Sequence, residues 1–337
     1  MTLRRPLDHP SVWRREDMEG RDDWIRQFSD AELDEICAAL PRRFGAPGFG
    51  KADFPLPALS LRLADMVDEL ENGRGFVLMR GLDRLGLDPQ ALRDVYWGLA
   101  QHMGRTISQN SAGALIGEVY DRGFDYTDNN VRGHTTNSEI GPHCDTADVV
   151  GLLCIRPAAA GGESLIASSG AIYNEILATR PDLVDPLAAG FRIDLAGKGP
   201  TGAANEVTRA RIPVFSWYAG RLSCRFNRKQ IEDGQRKLGR CLSEQEQEAV
   251  EMVERLALDP RFRLEMDFRP GDIQWLNNHA ILHGRAGYRD SGDPGRHRLL
   301  LRLWMNIPNG RPLAPAFADR LNTGPRGGVH AREARAA

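Results

Sequence analysis

The chain has 337 residues, with 44 Lys and Arg against 46 Asp and Glu, for a net charge of −2. This length allows a large core in one or two domains, and the balanced, scattered charge gives no reason to expect a nucleic-acid partner. The start lacks an apolar signal region, and the longest apolar run, 149–155, is too short to cross a bilayer. We therefore expect a cytoplasmic protein that acts on a small molecule, with no membrane partner and with a homo-oligomer left open.

Helical periodicity dominates the first hundred residues. A capping box at Ser29 precedes a first amphipathic helix. A second helix occupies 59–73 and a third occupies 88–104, and the segment 75–82 between them is predicted to be a strand. We expect residues 1–73 to form a helical segment that packs on the outside of a sheet core.

Short strands prevail after residue 148. The predicted strands are 148–155, 164–167, 191–195, 212–217, 221–226, 262–268, 272–277 and 296–305. Two helices interrupt them, one at 170–179 and one capped by Ser243. The pattern predicts a mainly β fold with peripheral helices (α+β), built on a sandwich or jelly-roll barrel.

We predict one catalytic domain over residues 1–310, with a helical insertion at 227–260. Residues 311–337 are expected to form a loosely held C-terminal extension, because the end of the chain is rich in Gly, Arg and Ala. Five widely spaced cysteines, none in a CxxC pair, are expected to be reduced.

A histidine and an aspartate, His143 and Asp145, lie just before the apolar run 149–155. Residues i and i+2 of a strand project to the same face, so the pair can offer an imidazole and a carboxylate to one metal ion. Taken alone, the motif is better explained by a hydrogen-bonded pair at a strand edge.

Two later motifs add candidates. His279 and His283 are four residues apart, but Ala280 stands where the HExxH zinc motif requires glutamate. In the segment 296–305, Arg298 and Arg302 share a face with Leu and Trp. This face either lies in water on an edge strand or directs the arginines into a barrel mouth, where a guanidinium binds a carboxylate with two hydrogen bonds.

The order and separation of these motifs resemble the taurine dioxygenase (TauD/TfdA) family of Fe(II)/2-oxoglutarate-dependent dioxygenases. The resemblance covers about residues 75–306 and includes His143-x-Asp145, GGES (161–164), GDxxWxNN (271–278), His283 before Gly-Arg, and RxxxRLW (298–304). It implies a distorted double-stranded β-helix core of the clavaminate synthase-like type. It also implies dependence on Fe(II), 2-oxoglutarate and O2.

The resemblance further implies roles for individual residues. The implied iron ligands are His143, Asp145 and His283. Arg298 would bind the distal carboxylate of 2-oxoglutarate, with Arg296 as the alternative on the same strand face, and Ser164 would lie near this cosubstrate. Because Asp145 is present, the halogenase variant that lacks this carboxylate is disfavoured.

The substrate is expected to be a small anionic or amino-acid-like molecule, oxidised at an unactivated C–H bond by hydroxylation, desaturation or cyclisation. This follows from Arg302, a second guanidinium that the cosubstrate does not need and that related enzymes direct at an anionic substrate. Candidate residues of the pocket wall are Arg302, Trp304, Arg225, Asn227 and Asn110. The segment 122–141 is a candidate lid.

Two other functions stay open at this point. The same His, Asp and His could hold zinc in a hydrolase that activates water. Alternatively, the site could bind a carboxylate without turnover in a non-catalytic jelly roll.

Overall fold

The computed structural model describes residues 4–40, 45–123, 135–308 and 310–332. The α-helices in these ranges are α1 (Arg15–Met18), α2 (Asp30–Ala39), α3 (Leu59–Asn72), α4 (Pro89–Met103), α5 (Ser169–Thr179), α6 (Val184–Ala189), α7 (Arg228–Lys237), α8 (Glu244–Leu258) and α9 (Pro315–Ala318). The strands are β1 (Ile25–Gln27), β2 (Phe76–Arg80), β3 (Arg105–Ile107), β4 (Ile116–Val119), β5 (Ile140–His143), β6 (Val149–Arg156), β7 (Ala160–Gly161), β8 (Ser164–Ser168), β9 (Phe215–Tyr218), β10 (Arg221–Cys224), β11 (Arg263–Met266), β12 (Ile273–Asn277), β13 (Ile281–Arg285), β14 (Tyr288–Arg289) and β15 (Leu299–Asn306). Among the described residues, no helix has the length and apolar character needed to span a membrane.

Two sheets form the core of the jelly roll. The larger has the order β1-β2-β12-β6-β15-β3, with β4 also paired to β15, and the smaller has the order β11-β8-β13-β5. Both sheets contribute to one buried cluster, in which Val150 and Trp304 of the larger sheet join Ile166 and Ile281 of the smaller. The sheets therefore pack face to face and enclose the ends of β5, β13 and β15.

Helices cover the outer face of each sheet. Leu63 of α3 and Val95 of α4 pack with Leu303 of the larger sheet. On the other side, Ile172 of α5 and Val250 of α8 belong to a separate cluster that includes strand residues of the smaller sheet. This burial explains the apolar stripes that predicted the helices, because each helix contributes one face to a core.

The predicted helices are confirmed, but several strands differ from the expectation. β5 and β13 were not predicted, and the strand expected at 212–217 begins at Phe215. Residues 191–195 are not a strand: Phe191 and Asp194 make only isolated bridges, and the N–H groups of Ile193 and Leu195 bond to residues 206–208 while that of Asp194 bonds to Gln230. The strand predicted at 296–305 begins at Leu299. It pairs with β6 on one side and with β3 and β4 on the other, so the edge-strand interpretation is wrong.

The C-terminal segment 311–332 is packed against the body of the protein, so the expectation of a loose extension is wrong for these residues. Phe317, Leu321 and Val329 are buried, and Arg311 forms a buried salt bridge with Glu71 at 2.7 Å. The composition of the segment does not reveal this packing, because its charged side chains pair with residues far away in the sequence. The domain boundary at residue 311 stays a prediction. Most of the proposed lid, residues 124–134, lies outside the described residues.

Candidate metal centre and its cavity

Three potential metal ligands meet between the two sheets. His143 is the last residue of β5, Asp145 follows in the turn to β6, and His283 lies opposite His143 in β13. One ligand atom from each residue lies within 4.8 Å of the other two. Nε2 of His283 is 3.8 Å from Oδ2 of Asp145, and the two imidazole centroids are 4.3 Å apart. The pairing of β5 with β13 therefore unites residues that are 140 positions apart in the chain.

The electrostatics of the three groups suit a metal ion. Burial lowers the pKa of His143, and burial lowers the pKa of His283 to about 3, so both imidazoles are neutral near pH 7. Burial alone would raise the pKa of Asp145, but neighbouring positive charges, first that of Arg302, hold it well below its usual range. Two neutral imidazoles and one carboxylate are the ligands that non-haem Fe(II) oxygenases use.

Hydrogen bonds orient the donor atoms. Nδ1 of His143 lies 3.0 Å from the carbonyl oxygen of Gly141, which fixes a proton on Nδ1 and leaves the lone pair of Nε2 for a metal. Nε1 of Trp304 donates to Oδ2 of Asp145 at 2.8 Å, which fixes the orientation of this carboxylate. The residues present therefore fit Fe(II).

Two further side chains fix the backbone of the turn that contains Asp145. The amide of Asp145 donates to Oδ1 of Asn278 at 2.9 Å, and Arg225 donates from Nη1 to the carbonyl of Cys144 at 2.5 Å. Arg225 is buried behind the turn and is not among the described residues that line the cavity. Trp304 is fully buried and also lies behind the cavity surface, in contact with Asp145.

Arg298 and Ser164 line the cavity on one side of the cluster. Arg298 is 4% exposed, stacks over Tyr288, and forms no salt bridge within the described residues. Its Nη1 atom has no hydrogen-bond partner there either. Oγ of Ser164 bonds to Gln274 at 3.0 Å. Arg296 is exposed in a 3-10 turn outside the cavity.

Arg302 and Asn227 line the same cavity. Arg302 donates from Nε to Gln109 at 2.8 Å, and its Nη1 is 3.7 Å from Oδ2 of Asp145. Asn227 caps α7 by accepting a hydrogen bond from the amide of Gln230. Asn110 is not among the described residues that line the cavity, and it accepts hydrogen bonds from two amides of its own turn.

The cavity measures about 560 Å³ and contains a basic residue that the sequence did not single out. Nζ of Lys198 is 5.5 Å from the ring of Trp304, and Arg302 lies 4.9 Å from the same ring. Lys198 stands between two glycines in an irregular segment, and nothing in that pattern indicates which way it points. Lys198 is therefore a second positively charged side chain close to Arg302.

Apart from Asp145, the acidic residues of the cavity wall pair with basic residues other than Arg298 and Arg302. Glu232 and Glu254 both bond to Arg228, Asp194 pairs with Lys237, and Asp233 pairs with Lys229 and Arg236. These acids are therefore not the partners of Arg298 or Arg302.

Comparisons with known proteins agree with this geometry. A profile of the family described as "Taurine catabolism dioxygenase TauD, TfdA family" matches residues 38–304. FR-33289 synthase of Streptomyces rubellomurinus (strain ATCC 31215) is 32% identical over 320 residues, which cover 92% of this chain and 93% of that protein. A uridine-5'-phosphate dioxygenase of Streptomyces sp is 29% identical over 163 residues, covering 47% of this chain and 56% of that protein.

A solved structure has the same fold. It is an asparagine oxygenase in complex with Fe(II), 2S,3S-3-hydroxyasparagine and succinate, with a TM-score of 0.65 and 17% identity. The similarity covers 84% of this chain and 94% of the asparagine oxygenase. With the family profile spanning most of the chain, the conclusion is that this protein belongs to the taurine catabolism dioxygenase TauD, TfdA family and is a non-haem iron, 2-oxoglutarate-dependent oxygenase.

Proposed function

We propose that this enzyme oxidises an unactivated C–H bond of a small anionic or amino-acid-like substrate and releases succinate and CO2. Bound Fe(II), with 2-oxoglutarate and O2, supplies the oxidising chemistry. The observation that supports the proposal is that one cavity is lined by His143, Asp145 and His283 together with Arg298 and Arg302. Hydroxylation is the simplest outcome, and desaturation or cyclisation would need the same arrangement.

In this proposal His143, Asp145 and His283 hold Fe(II). Their lowered pKa values keep them in the metal-binding protonation states near neutral pH. These residues would supply three ligands to Fe(II) and would leave further coordination positions for the cosubstrate and O2. Family membership favours this role over a zinc hydrolase or a non-catalytic carboxylate-binding protein.

Arg298 binds the distal carboxylate of 2-oxoglutarate, and Ser164 lies beside the same molecule. A buried guanidinium without an acidic partner is costly, so an incoming carboxylate that pairs with it gains a charge-assisted contact. The low exposure of Arg298 and the absence of a salt bridge within the described chain support this role.

Arg302 contacts the anionic group of the substrate, with Lys198 close by. Arg302 lies 3.7 Å from Asp145, but a metal ion bound to the same carboxylate would neutralise part of its negative charge. The guanidinium can then attract a second anion. Similar proteins include a uridine-5'-phosphate dioxygenase and an asparagine oxygenase in complex with hydroxyasparagine, and both agree with an anionic or amino-acid-like substrate.

The ligand assignment is tested with metal-free protein reconstituted under nitrogen. We expect succinate formation on exposure to O2 with Fe(II) and none with Zn(II), and we expect His143→Ala and His283→Ala to abolish both Fe(II) binding and succinate release. His330→Ala, which removes an exposed histidine, is the matched control and should behave as the wild type. A fully active His283→Ala enzyme would refute the assignment.

The substrate class is tested by measuring succinate release across amino acids, carboxylates, sulfonates and phosphate esters, each beside its neutral amide or ester. We expect the anions to stimulate turnover and the neutral analogues to fail. Arg302→Gln should raise the substrate KM by about tenfold to a hundredfold, because it removes a charge-assisted contact in a partly buried site. Stimulation by neutral compounds alone, or an unchanged KM in Arg302→Gln, contradicts an anionic substrate without affecting the iron assignment.

A further inference from the structure

The turn that contains Asp145 is entirely buried. Residues 144–148 connect β5 to β6, belong to neither strand, and are all shielded from solvent. A buried turn without a strand partner must find hydrogen-bond partners for its peptide groups from elsewhere, since an unpaired buried carbonyl or amide is costly. The position of Asp145 therefore depends on the side chains that supply these partners.

One of these side chains comes from the end of the chain. Arg320 donates from Nη1 to the carbonyl of Ala147 at 3.0 Å, and its Nη2 lies 3.4 Å from Oδ1 of Asp148. Arg320 is 3% exposed and Asp148 is 1% exposed. A single guanidinium thus contacts two consecutive residues of the turn, just after the metal-binding carboxylate.

Asp148 is the centre of a buried cluster of charged and polar groups. Its carboxylate accepts hydrogen bonds from Nη1 of Arg326 at 2.6 Å and contacts Nε2 of His279 at 3.0 Å, in addition to Arg320. The amide of Asp148 lies 3.4 Å from Oδ1 of Asn306, at the end of β15. The cluster therefore joins the turn to β15, to the residues before β13, and to the C-terminal segment.

Both arginines of the cluster lie in the C-terminal segment, 311–332. The family profile ends at residue 304, before this segment begins. The segment also has anchors outside the cluster, because Phe317 packs into the core and Arg311 bonds to Glu71 and to the carbonyl of Leu222. Arg320 is thus presented to the turn by a part of the chain that is itself fixed.

We propose that the C-terminal segment is a part of the metal centre, in which Arg320 positions the 144–148 turn so that Asp145 meets His143 and His283. Arg320 is a positioning residue, since it touches neither the ligand atoms nor the cavity. The planar fork of arginine suits this role because it reaches the Ala147 carbonyl and the Asp148 carboxylate together, whereas the ammonium group of lysine lacks the fork geometry. Interactions that orient metal ligands from behind commonly change metal affinity by about tenfold to a hundredfold.

The test compares Fe(II) binding by full-length Arg320→Met and Arg311→Met, measured by calorimetric titration of the metal-free proteins under nitrogen. Both changes remove a buried arginine of the same segment, but the Arg311 side chain contacts Glu71 and Leu222 and not the turn. We expect both variants to melt at a lower temperature than the wild type. Only Arg320→Met should lose Fe(II) affinity, by about tenfold to a hundredfold, while Arg311→Met stays within about twofold of the wild type.

Arg320→Lys provides a milder change if Arg320→Met does not fold. Lysine keeps the positive charge near Asp148 but cannot make both contacts. The Fe(II) affinity of Arg320→Lys should therefore lie between those of Arg320→Met and the wild type, and its melting temperature should fall less than that of Arg320→Met. Wild-type Fe(II) affinity in a folded Arg320→Lys or Arg320→Met protein would overturn the proposal. Equal losses of affinity in Arg320→Met and Arg311→Met would also overturn it, because they would indicate a general loss of stability. None of these outcomes depends on the substrate.

Discussion

Arg298 reaches the cavity because of the short turn that precedes its strand. Residues 294–296 form a 3-10 turn, and the amide of Arg298 then donates to Asp290 at 2.7 Å. Arg296 is left in solvent by this turn, whereas Arg298 enters the space between the sheets. In an unbroken strand the two arginines would share a face, since they are two residues apart. The 3-10 turn at 294–296 therefore makes the guanidinium of Arg298, and not that of Arg296, available to a carboxylate.

This geometry leads to a paired prediction for the cosubstrate. Arg298→Ala should raise the KM for 2-oxoglutarate by about tenfold to a hundredfold, since a charge-assisted hydrogen bond in a buried site is lost. Arg296→Ala, which removes an exposed arginine two residues away, should leave this KM unchanged. Steady-state kinetics at saturating Fe(II), with 2-oxoglutarate varied, measure both. Loss of affinity in Arg296→Ala alone would assign the carboxylate to the other arginine.

Residue types predicted the centre of the site better than its surroundings. His143 and His283 meet because β5 pairs with β13, and the turn after β5 brings Asp145 beside them. Arg225 and Asn110 bond to backbone groups and do not line the cavity, and a sequence does not show which of these a polar side chain does. Lys198 was missed for the same reason, since its direction is set by an irregular segment.

Among the elements, the amphipathic helices and most strands were predictable, but the two strands of the metal centre were not. β6 is a mostly apolar strand of eight residues. β5 has the sequence IGPH and β13 has ILHGR; Gly and Pro disfavour a strand in β5, and Gly does so in β13. The pairing of β13 with β5 and β8 overrides this weak preference. The two strands that carry the histidines of the metal centre are therefore those that propensity identifies least well.

Close packing in the larger sheet depends on a glycine in β6. Gly151 lies opposite Trp275 in the strand register, and a Cβ atom there would come within 2.3 Å of the Trp275 ring and 2.4 Å of the Tyr96 hydroxyl. Both aromatic residues are fully buried, so they have little room to move. The core can accommodate this contact only because residue 151 has no side chain.

We therefore expect Gly151→Ala to lower the free energy of unfolding by about 1–3 kcal/mol, the usual cost of overpacking a core. Urea denaturation of the metal-free protein measures the change. Gly292→Ala is the matched control, because the residue is exposed and a Cβ atom added to it would have no other atom within 4 Å; its effect should stay within about 1 kcal/mol. A Gly151→Ala protein as stable as Gly292→Ala would mean that the two aromatic rings move at little cost.

At the scale of the whole molecule, patterning predicted two sheets with helices outside, since each amphipathic element needs an apolar partner. It did not predict that the C-terminal segment packs across the back of the metal centre. That packing rests on pairs such as Arg311 with Glu71 and Arg326 with Asp148, each joining residues far apart in the chain. Opposite charges are common on any surface, so a sequence gives no sign of which pairs become buried.

Buried neutral histidines make the stability of the whole fold depend on pH. Burial lowers the pKa of His279 to about 4, although Asp148 opposes the shift, whereas the pKa of a histidine in the unfolded chain stays near its ordinary value of 6.5. Between about pH 6.5 and pH 4 the unfolded chain therefore binds a proton at residue 279 that the folded protein does not. Lowering the pH through this range favours the unfolded state. The stabilisation that neutral His279 gives the folded protein is complete above about pH 6.5. It declines by about 1.4 kcal/mol for each unit by which the pH falls below this value.

The prediction is that His279→Gln reduces the pH dependence of the free energy of unfolding by this amount between about pH 6 and pH 5. His143 and His283 remain in the variant and keep their own contributions, so the difference between the two slopes isolates residue 279. Urea denaturation in the presence of a chelator measures the slopes, because bound metal would add a separate pH dependence. His330→Gln, which replaces an exposed histidine, should keep the wild-type slope. If His279→Gln and the wild type have the same slope, His279 is protonated in the folded protein and its contact with Asp148 is an ion pair instead of a neutral hydrogen bond.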